Sequence, residues 1–310
     1  MDIMDLVRAL PASVAQGLIW GIMAIGVYIT FKVLDFADLS VDGSLALGGA
    51  VAVVLILAGV NPILAIVVAF FMGVIAGLVT GILHTVLGIP DILAGILTQI
   101  ALYSINLNIM GRSNLAVSIN KYNLVISLRD IPHTIIVGVL VLLVFIVCVY
   151  RFFGTEVGMS LRATGANPNM ARAQGISTDF NKVLALALSN GLVAVCGAFI
   201  AQYQGNADVN MGRGAIVIGL AAVIIGEVLY DALLSKNNKF VFALRLAFTA
   251  IGAVIYYMVI TFVLWLGLPS ENMKLFSAIV VAVFLAVPHL KAQRQSSFKK
   301  VGHASKKGDE

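Results

Sequence analysis

The sequence predicts an all-α protein: a polytopic bundle of transmembrane helices with an inverted internal repeat and short or broken helices. Of its 310 residues, 60% are hydrophobic and 11% are charged, whereas soluble domains contain about 25% charged residues. Charged residues are absent from four long apolar blocks, a pattern typical of membrane-spanning helices. These blocks are Gly43–Pro90, Val183–Ala207, Leu246–Ser270 and Leu275–Leu290.

The apolar blocks divide into nine candidate spans. We expect one transmembrane domain over residues 1–310, with a membrane core at about 11–288 and a basic cytoplasmic tail at 289–310. Two spans, Gly43–Ala58 and Gly214–Tyr230, are shorter than the roughly 20 residues that a crossing needs. The other seven are Pro11–Phe31, Pro62–His84, Ile92–Met110, Pro132–Phe152, Lys182–Gln202, Phe240–Leu266 and Met273–Val287.

Basic residues set the predicted orientation, because cytoplasmic loops are enriched in Lys and Arg. Arg151, Arg162, Arg172 and Lys182 assign the central polar segment to the cytoplasm. Four predicted spans separate that segment from the basic tail, so both lie on the same side. The loop at 111–131 is then external.

The two short spans belong to similar segments. Ala37–Val53 aligns with Ala207–Val223 at an offset of 170 residues (207 minus 37), with identities that include Ala-Asp at the start of each segment. Five predicted spans, including Gly43–Ala58, separate the start of the first copy from the start of the second, so the second copy would be inverted. Inverted repeats with short helices are typical of transporters. Chance similarity among small apolar residues is the alternative.

Uncharged polar and small residues inside the spans are candidates for a translocation path. Ionisable groups there are few: we expect Glu227 and Arg245 to snorkel to the inner interface, with a Glu227–Arg245 pair as the alternative. No carboxylate is expected at the membrane midplane. Hydrogen bonding between helices is the other explanation for the uncharged polar groups. The candidate path residues are Ser44, Gly48, Gly49, Gln99, Asn106, Ser189, Asn190 and Gly219.

A polar segment, Leu161–Ile176, interrupts the apolar sequence. Asn167 is a favoured N-cap, Pro168 suits the first helical position, and Gly175 suits a left-handed C-cap. The pattern predicts a helix of about two turns at Asn169–Gln174. Such a helix between spans would be presented to a soluble partner, although an ordinary loop with a helical turn is the alternative.

Catalytic and metal signatures are not found in the sequence. Four histidines, His84, His133, His289 and His303, have no carboxylate or cysteine at metal-ligand spacing. No phosphate-binding loop with Gly-Lys-Ser/Thr is present. We therefore expect no enzyme activity, no cofactor, no metal and no nucleic-acid partner, and any ATP would be bound by another chain.

Two sets of residues carry a resemblance to a known family. Gly158–Ser177 resembles the cytoplasmic loop of bacterial ATP-binding-cassette importer permeases of the branched-chain amino acid and ribose type. Phe36-Ala37-Asp38 with the following Gly-Ser-Leu-Ala-Leu-Gly-Gly, and Ala207–Glu227, resemble the short-helix segments of that family. The similarity spans about residues 11–288 and is greatest to a subgroup for aromatic or related amino acids.

The resemblance implies a permease subunit that passes a small polar solute, most simply an amino acid, delivered by an external solute-binding protein. It implies a multi-pass homodimer in the lipid bilayer of a bacterial plasma membrane, docked on two ATP-binding subunits. A secondary transporter that works alone and a membrane scaffold are the alternatives. The ATPase-coupling residues by this resemblance are Arg162, Asn167, Pro168, Met170, Ala171, Arg172, Gln174 and Gly175.

Overall fold

The computed structural model describes residues 3–119, 121–234 and 240–266, together with a few positions between 275 and 286. These parts form an all-α bundle with one two-stranded sheet. The first five helices are α1 (Ile3–Val27), α2 (Val41–Leu57), α3 (Pro62–Thr85), α4 (Asp91–Met110) and α5 (Ile131–Phe153). The others are α6 (Glu156–Ala166), α7 (Pro168–Ala173), α8 (Thr178–Gln204), α9 (Ala215–Leu233) and α10 (Val241–Trp265), and the strands are β1 (Asn114–Ala116) and β2 (Asn206–Asp208).

Seven helices in the described residues are long and apolar enough to cross a membrane. The first of these includes a π-helical stretch, Tyr28–Val33, that continues α1. α2, with 17 residues, is the short apolar helix that the sequence predicts near Gly43–Ala58. The predicted span Met273–Val287 and the tail at 289–310 lie mostly or wholly outside the described residues.

Helix ends follow local sequence signals. Asn61 caps α3 by accepting a hydrogen bond from the backbone N–H of Ile63 at 2.9 Å, and Pro62 occupies the first helical position. Gly111 after α4 and Gly205 after α8 have positive φ angles, which glycine adopts without a Cβ penalty. These signals explain why the observed ends lie close to the predicted ones.

The strands distinguish the two ends of the bundle. β1 follows α4 and pairs antiparallel with β2, which follows α8. α5 and α8, with 23 and 27 residues, run between this end and the end that carries α7. At 1.5 Å per residue each helix is long enough to cross the hydrocarbon layer of about 30 Å. We call the two sides the sheet end and the α7 end.

α8 is the central helix of the bundle, because 83% of its most apolar 18-residue segment is buried. Its contacts with α2 are made backbone to backbone through glycines. A Cβ added at Gly48 would lie 1.9 Å from the Ala194 carbonyl oxygen, and one at Gly197 would lie 1.9 Å from the Leu45 oxygen. Small residues permit this close approach in lipid, where dispersion and packing drive helix association.

The two segments of the proposed repeat begin with the same local turn. The Asp38 carboxylate accepts a hydrogen bond from Ser40 N at 2.9 Å, and Asp208 accepts one from Asn210 N at 2.7 Å. The segments also meet, because Gly212 packs against the carbonyl of Asp42. An inverted relation between the two halves stays a prediction.

Candidate functional site

The polar segment forms the capped helix α7, as its sequence predicts. Asn167 Oδ1 accepts a hydrogen bond from Met170 N at 3.0 Å, and Pro168 is the first helical residue. Gly175 has a φ of +79°, and Gln174 rather than Gly175 is the C-cap residue. α7 therefore begins and ends within one residue of the predicted helix.

α7 presents most of its surface to solvent. Met170 is 64% exposed, whereas Ala171 is 4% exposed and faces the rest of the protein. Arg172 donates a hydrogen bond to Thr178 Oγ1 at 2.9 Å and lies 4.0 Å from Asp179 Oδ1, both on the first turn of α8. The helix is thus attached to the bundle on one side and free on the other.

α6 is an element that sequence reasoning missed, and it carries Arg162. Thr155 caps it by accepting a hydrogen bond from Gly158 N, and this threonine followed by Glu156 is the signal that could have revealed it. The Arg162 guanidinium lies 4.0 Å from the Phe242 ring centroid and 5.4 Å from that of Phe153. Arg162 therefore lies beside the bundle, away from the exposed face of α7.

Two candidate path residues, Ser189 and Asn190, are buried and make hydrogen bonds between segments. Ser189 Oγ donates to the Gly26 carbonyl at 2.8 Å. Asn190 Nδ2 donates to Asp38 at 2.8 Å, and its amide oxygen accepts from Ser40 at 3.1 Å. Both side chains are fully buried within this chain, so these contacts join helices.

The structure corrects the expectation that no carboxylate lies at mid-depth. Asp38 is 2% exposed and contacts Asn190, which lies halfway along α8. The segment between the π-helical stretch and α2 therefore enters the bundle before α2 begins. A buried carboxylate needs compensating hydrogen bonds, and Ser40 and Asn190 supply them.

Four further candidate path residues line contacts between helices. The Ser44 hydroxyl is buried, and it has no hydrogen-bond partner among the described residues. Gly49 packs against the sulfur of Met211, and Gly219 packs against the side chains of Met23 and Val27. Gly48 makes the backbone contact with α8 described above. Their role in a path stays a prediction.

The structure does bring two candidate path residues together, Gln99 and Asn106. They line a cleft of about 340 Å³ between α4, the start of α2 and the segment after β2. Asn106 donates to the Gly43 carbonyl at 3.3 Å, while its buried amide oxygen has no partner in the described parts of the chain. The lining is Asp42, Gly43, Gln99, Ile100, Tyr103, Ser104, Asn106, Val209, Asn210 and Arg213.

Asp42 connects the starts of α2 and α9 beside this cleft. α9, predicted as a short span at Gly214–Tyr230, has 19 residues and is long enough to cross a membrane. Its carboxylate accepts hydrogen bonds from Gly214 N at 2.8 Å and from Ile216 N at 2.9 Å, at the start of α9. Free N–H groups at a helix start favour a negative charge. An acid on α2 therefore caps α9, a contact that sequence spacing did not predict.

Glu227 and Arg245 form an ion pair. The alternative prediction, pairing of these two residues, is therefore confirmed, and the expectation that both snorkel to the interface is wrong. Glu227 Oε1 accepts a hydrogen bond from Arg245 at 3.1 Å, and Oε2 lies 2.7 Å from Lys32 Nζ. The Glu227 side chain is 21% exposed. The cluster joins α9, α10 and the end of the first span at the α7 end.

We expect Glu227→Gln to lower the free energy of unfolding by about 1–2 kcal/mol. The reason is that two cations lose their acidic partner in a partly buried site, and exposure of Lys32 reduces the effect. Thermal denaturation of the purified protein in detergent measures it. Asp5→Asn, an exposed position on α1, is the control, and equal small shifts in both variants would contradict a stabilising cluster.

Metal binding finds no support in the described residues, where no group of three or more His, Cys, Asp or Glu side chains is close enough to hold an ion. The candidate functional features are instead the exposed helix α7 at one end and a polar cleft beside the starts of α2 and α9.

Comparison with known proteins identifies the family. The model of the family described as "Branched-chain amino acid transport system / permease component" matches residues 10–288. The chain belongs to this family. It is a permease component of an ABC transport system of the branched-chain and ribose type, and a multi-pass plasma membrane protein. Membership implies partnership with an ATP-binding subunit and a substrate-binding protein.

Individual relatives of this permease differ in their named solutes. It is 39% identical to the tyrosine transport system permease protein of Clostridioides difficile, covering 89% of this chain and 90% of that one. It is 29% identical to a fructose import permease of Bifidobacterium longum (87% and 74%) and 24% identical to the ribose import permease of Escherichia coli (87% and 82%). No solved structure was found to match it.

Proposed function

We propose that this permease imports an amino acid, working as a homodimer that receives its solute from an external binding protein and is driven by two ATP-binding subunits. The observation that carries the choice of solute is the polar cleft. It contains side chains of both charges, Asp42 and Arg213, beside the uncharged amides of Gln99 and Asn106.

The chemistry of the cleft fits a zwitterion. The Asp42 carboxylate, which also accepts the hydrogen bonds from the start of α9, and the Arg213 guanidinium supply both signs of charge. These charges complement the ammonium and carboxylate groups that every free amino acid carries. Tyr103 adds an aromatic surface. A cleft of 340 Å³ lies at the small end of the range for ligand sites. A tyrosine permease among the relatives supports the same class of solute.

The exposed face of α4 supports the second copy. Tyr103, Ser104 and Asn108 are exposed on one chain, on a helix with the length and composition of a membrane span. Polar groups are costly against lipid. In our proposal this face lies against the partner copy and the solute path, and the cleft opens toward both.

α7 supports the docking of an ATP-binding subunit. In our proposal the α7 end faces the cytoplasm, as the basic residues there predict. An exposed Met170 on a helix anchored through Ala171 and Arg172 gives a soluble partner an apolar contact with a rigid base. Movement of the ATPase pair would reach α8 directly through α7.

The test is uptake by proteoliposomes containing the permease, its ATP-binding subunit and its binding protein. We expect ATP-dependent uptake of a labelled amino acid, with fructose and ribose as competitors that have no effect. Gln99→Ala should lower uptake about tenfold, because losing one polar contact to a charged group costs about 1.5–3 kcal/mol. Gln204→Ala, which changes an exposed glutamine at the end of α8 that does not line the cleft, is the matched control.

Two results would overturn the proposal. Competition by sugars with no response to amino acids would reassign the solute, and equal uptake by the Gln99 and Gln204 variants would remove the cleft from the path. In both cases ATPase activity must be retained, so that a folding defect is not mistaken for a specific one.

Asp38 is the observation that favours the second candidate, a transporter driven by an ion gradient without an ATPase. A buried carboxylate at mid-depth is typical of ion coupling. Its hydrogen bonds to Ser40 and Asn190 satisfy it as a structural group. Uptake by the permease alone, driven by a proton or sodium gradient and lost in Asp38→Asn, would support this candidate over the first.

A further inference from the structure

A large cavity at the α7 end is separate from the solute cleft. Its volume is about 840 Å³, and it lies between the end of the first span, the end of α5, α6 and the start of α10. None of its lining residues is an acid, and four are basic: Lys32, Arg151, Arg162 and Arg245. We call it the basic cavity.

The positive charge of the basic cavity is only partly neutralised. Glu227 pairs with Lys32 and Arg245, and Asp231 lies 3.9 Å from Arg245. Arg151 and Arg162 have no acidic partner within 4 Å in the described ranges. Two cations on adjacent helices, α5 and α6, therefore face one cavity without a counterion.

Arg162 is held in a fixed orientation. Its guanidinium lies against the rings of Phe242 and Phe153, and its buried Nε has no hydrogen-bond partner in the described residues. Partial burial lowers the pKa of the Arg162 guanidinium, which stays charged because its ordinary value is far above neutrality. A guanidinium fixed by stacking is well suited to planar contact with an oxyanion.

The side chains rather than the backbone set this preference. The cavity is lined by the ends of α5 and α6 as well as by the start of α10 at Val241, and the two kinds of helix end carry opposite partial charges. The hydroxyl-bearing rings of Tyr28 and Tyr150 complete a wall that can donate hydrogen bonds.

We propose that the basic cavity binds a phosphate-bearing anion, held by Arg151 and Arg162. The shared chemistry is that of an anionic phospholipid headgroup and of free phosphate. Binding itself does not depend on the proposed transport function. A consequence for transport, in contrast, rests on that proposed function. Gly165 on α6 packs against the Val33 carbonyl, and Asn167, which caps α7, is the first residue after α6. A bound anion would fix α6, and with it α7, against α5.

Thermal denaturation of the purified permease in a neutral detergent tests binding. The probes are dihexanoyl-phosphatidylglycerol, dihexanoyl-phosphatidylcholine and inorganic phosphate, each titrated separately. A ligand that binds only the folded state raises the melting temperature, and the rise grows with the ratio of its free concentration to its Kd. We expect phosphatidylglycerol to stabilise the protein, and phosphatidylcholine, which has no net charge, to have no comparable effect.

Two variants assign the effect to the cavity. Arg151→Gln, at an exposed position, should weaken apparent phosphatidylglycerol affinity about tenfold, the effect of losing one charged hydrogen bond. Arg151→Gln with Arg162→Gln should abolish it. Arg112→Gln, an exposed arginine at the sheet end, is the matched control and should bind like the original protein.

Each outcome decides the proposal. Stabilisation by phosphatidylglycerol alone identifies a lipid headgroup, and equal stabilisation by inorganic phosphate identifies a free anion; both support the site. No stabilisation by either probe overturns it, as does equal stabilisation by phosphatidylcholine. Unchanged affinity in the Arg151 variant also overturns it, because that variant retains the fold and changes only the charge.

Discussion

Replacing Ala171 and Arg172 in α7 by proline will abolish uptake and prevent co-purification of the ATP-binding subunit, while the permease still inserts in the membrane. Proline removes backbone donors and clashes with the preceding turn. Here it removes the Ala171 N–H, which donates to the Asn167 carbonyl at 3.0 Å. Because α7 has only six residues, losing one turn destroys the helix. ATP-driven uptake and affinity capture from membranes measure the two effects.

A milder pair of variants separates docking from folding. Met170→Asp and Leu87→Asp each place a carboxylate at an apolar position that is 64% exposed, and Leu87 lies in the α3–α4 connection. We expect Met170→Asp to reduce ATPase capture at least tenfold and Leu87→Asp to leave it unchanged. Equal capture by both variants would rule out α7 as the docking helix.

Gly48→Ala will destabilise the bundle by about 3 kcal/mol or more, the upper range for overpacking. The added methyl would lie 1.9 Å from the Ala194 carbonyl oxygen, which belongs to the backbone of α8 and cannot rotate away. The reciprocal contact of Gly197 with Leu45 would have to separate as well. The measurement is the fraction of monodisperse protein after heating in detergent.

Gly138→Ala provides the matched control within α5. A Cβ at Gly138 would lie 3.4 Å from the Leu18 side chain, which is ordinary van der Waals contact. Alanine also favours the helix over glycine by about 1 kcal/mol, so this variant should be neutral or more stable. If both glycine variants melted alike, close packing of α2 on α8 would not be what holds the bundle together.

Most of the described fold follows from the sequence because its signals are local. The charge-free blocks and the caps at Asn61 and Asn167 predict helices whose ends the structure confirms to within a few residues. The exception is α1, which begins at Ile3 rather than at the predicted Pro11 and continues through this proline. The π-helical stretch at Tyr28–Val33 and the short helix α6 were missed. The first continues α1 inside one apolar span, and the second directly follows the span α5, so neither is separated from its neighbour by a clear sequence boundary.

The candidate site was less predictable, because its contacts join distant parts of the chain. Gln99 and Asn106 were found from their spacing on one helix face, which is a local property. The depth of Asp38 and the capping of α9 by Asp42 depend on partners 152 and 172 to 174 residues away. No periodicity in a single segment reports such contacts. The expectation that Glu227 snorkels was wrong for the same reason, because its pairing with Lys32 joins distant parts of the chain.

The contact of Asp38 with Asn190 has a consequence for how the protein is made. The two residues are 152 positions apart, and ribosomes add about 5–20 residues per second. Asp38 therefore waits about 8–30 seconds after its synthesis before its partner exists. Gly48 and Gly49 of α2 likewise cannot make their contacts until α8 has been synthesised. The N-terminal third of the chain cannot reach its final packing during translation until α8 has emerged, and the nascent protein must keep that acid hydrated or protonated in the meantime.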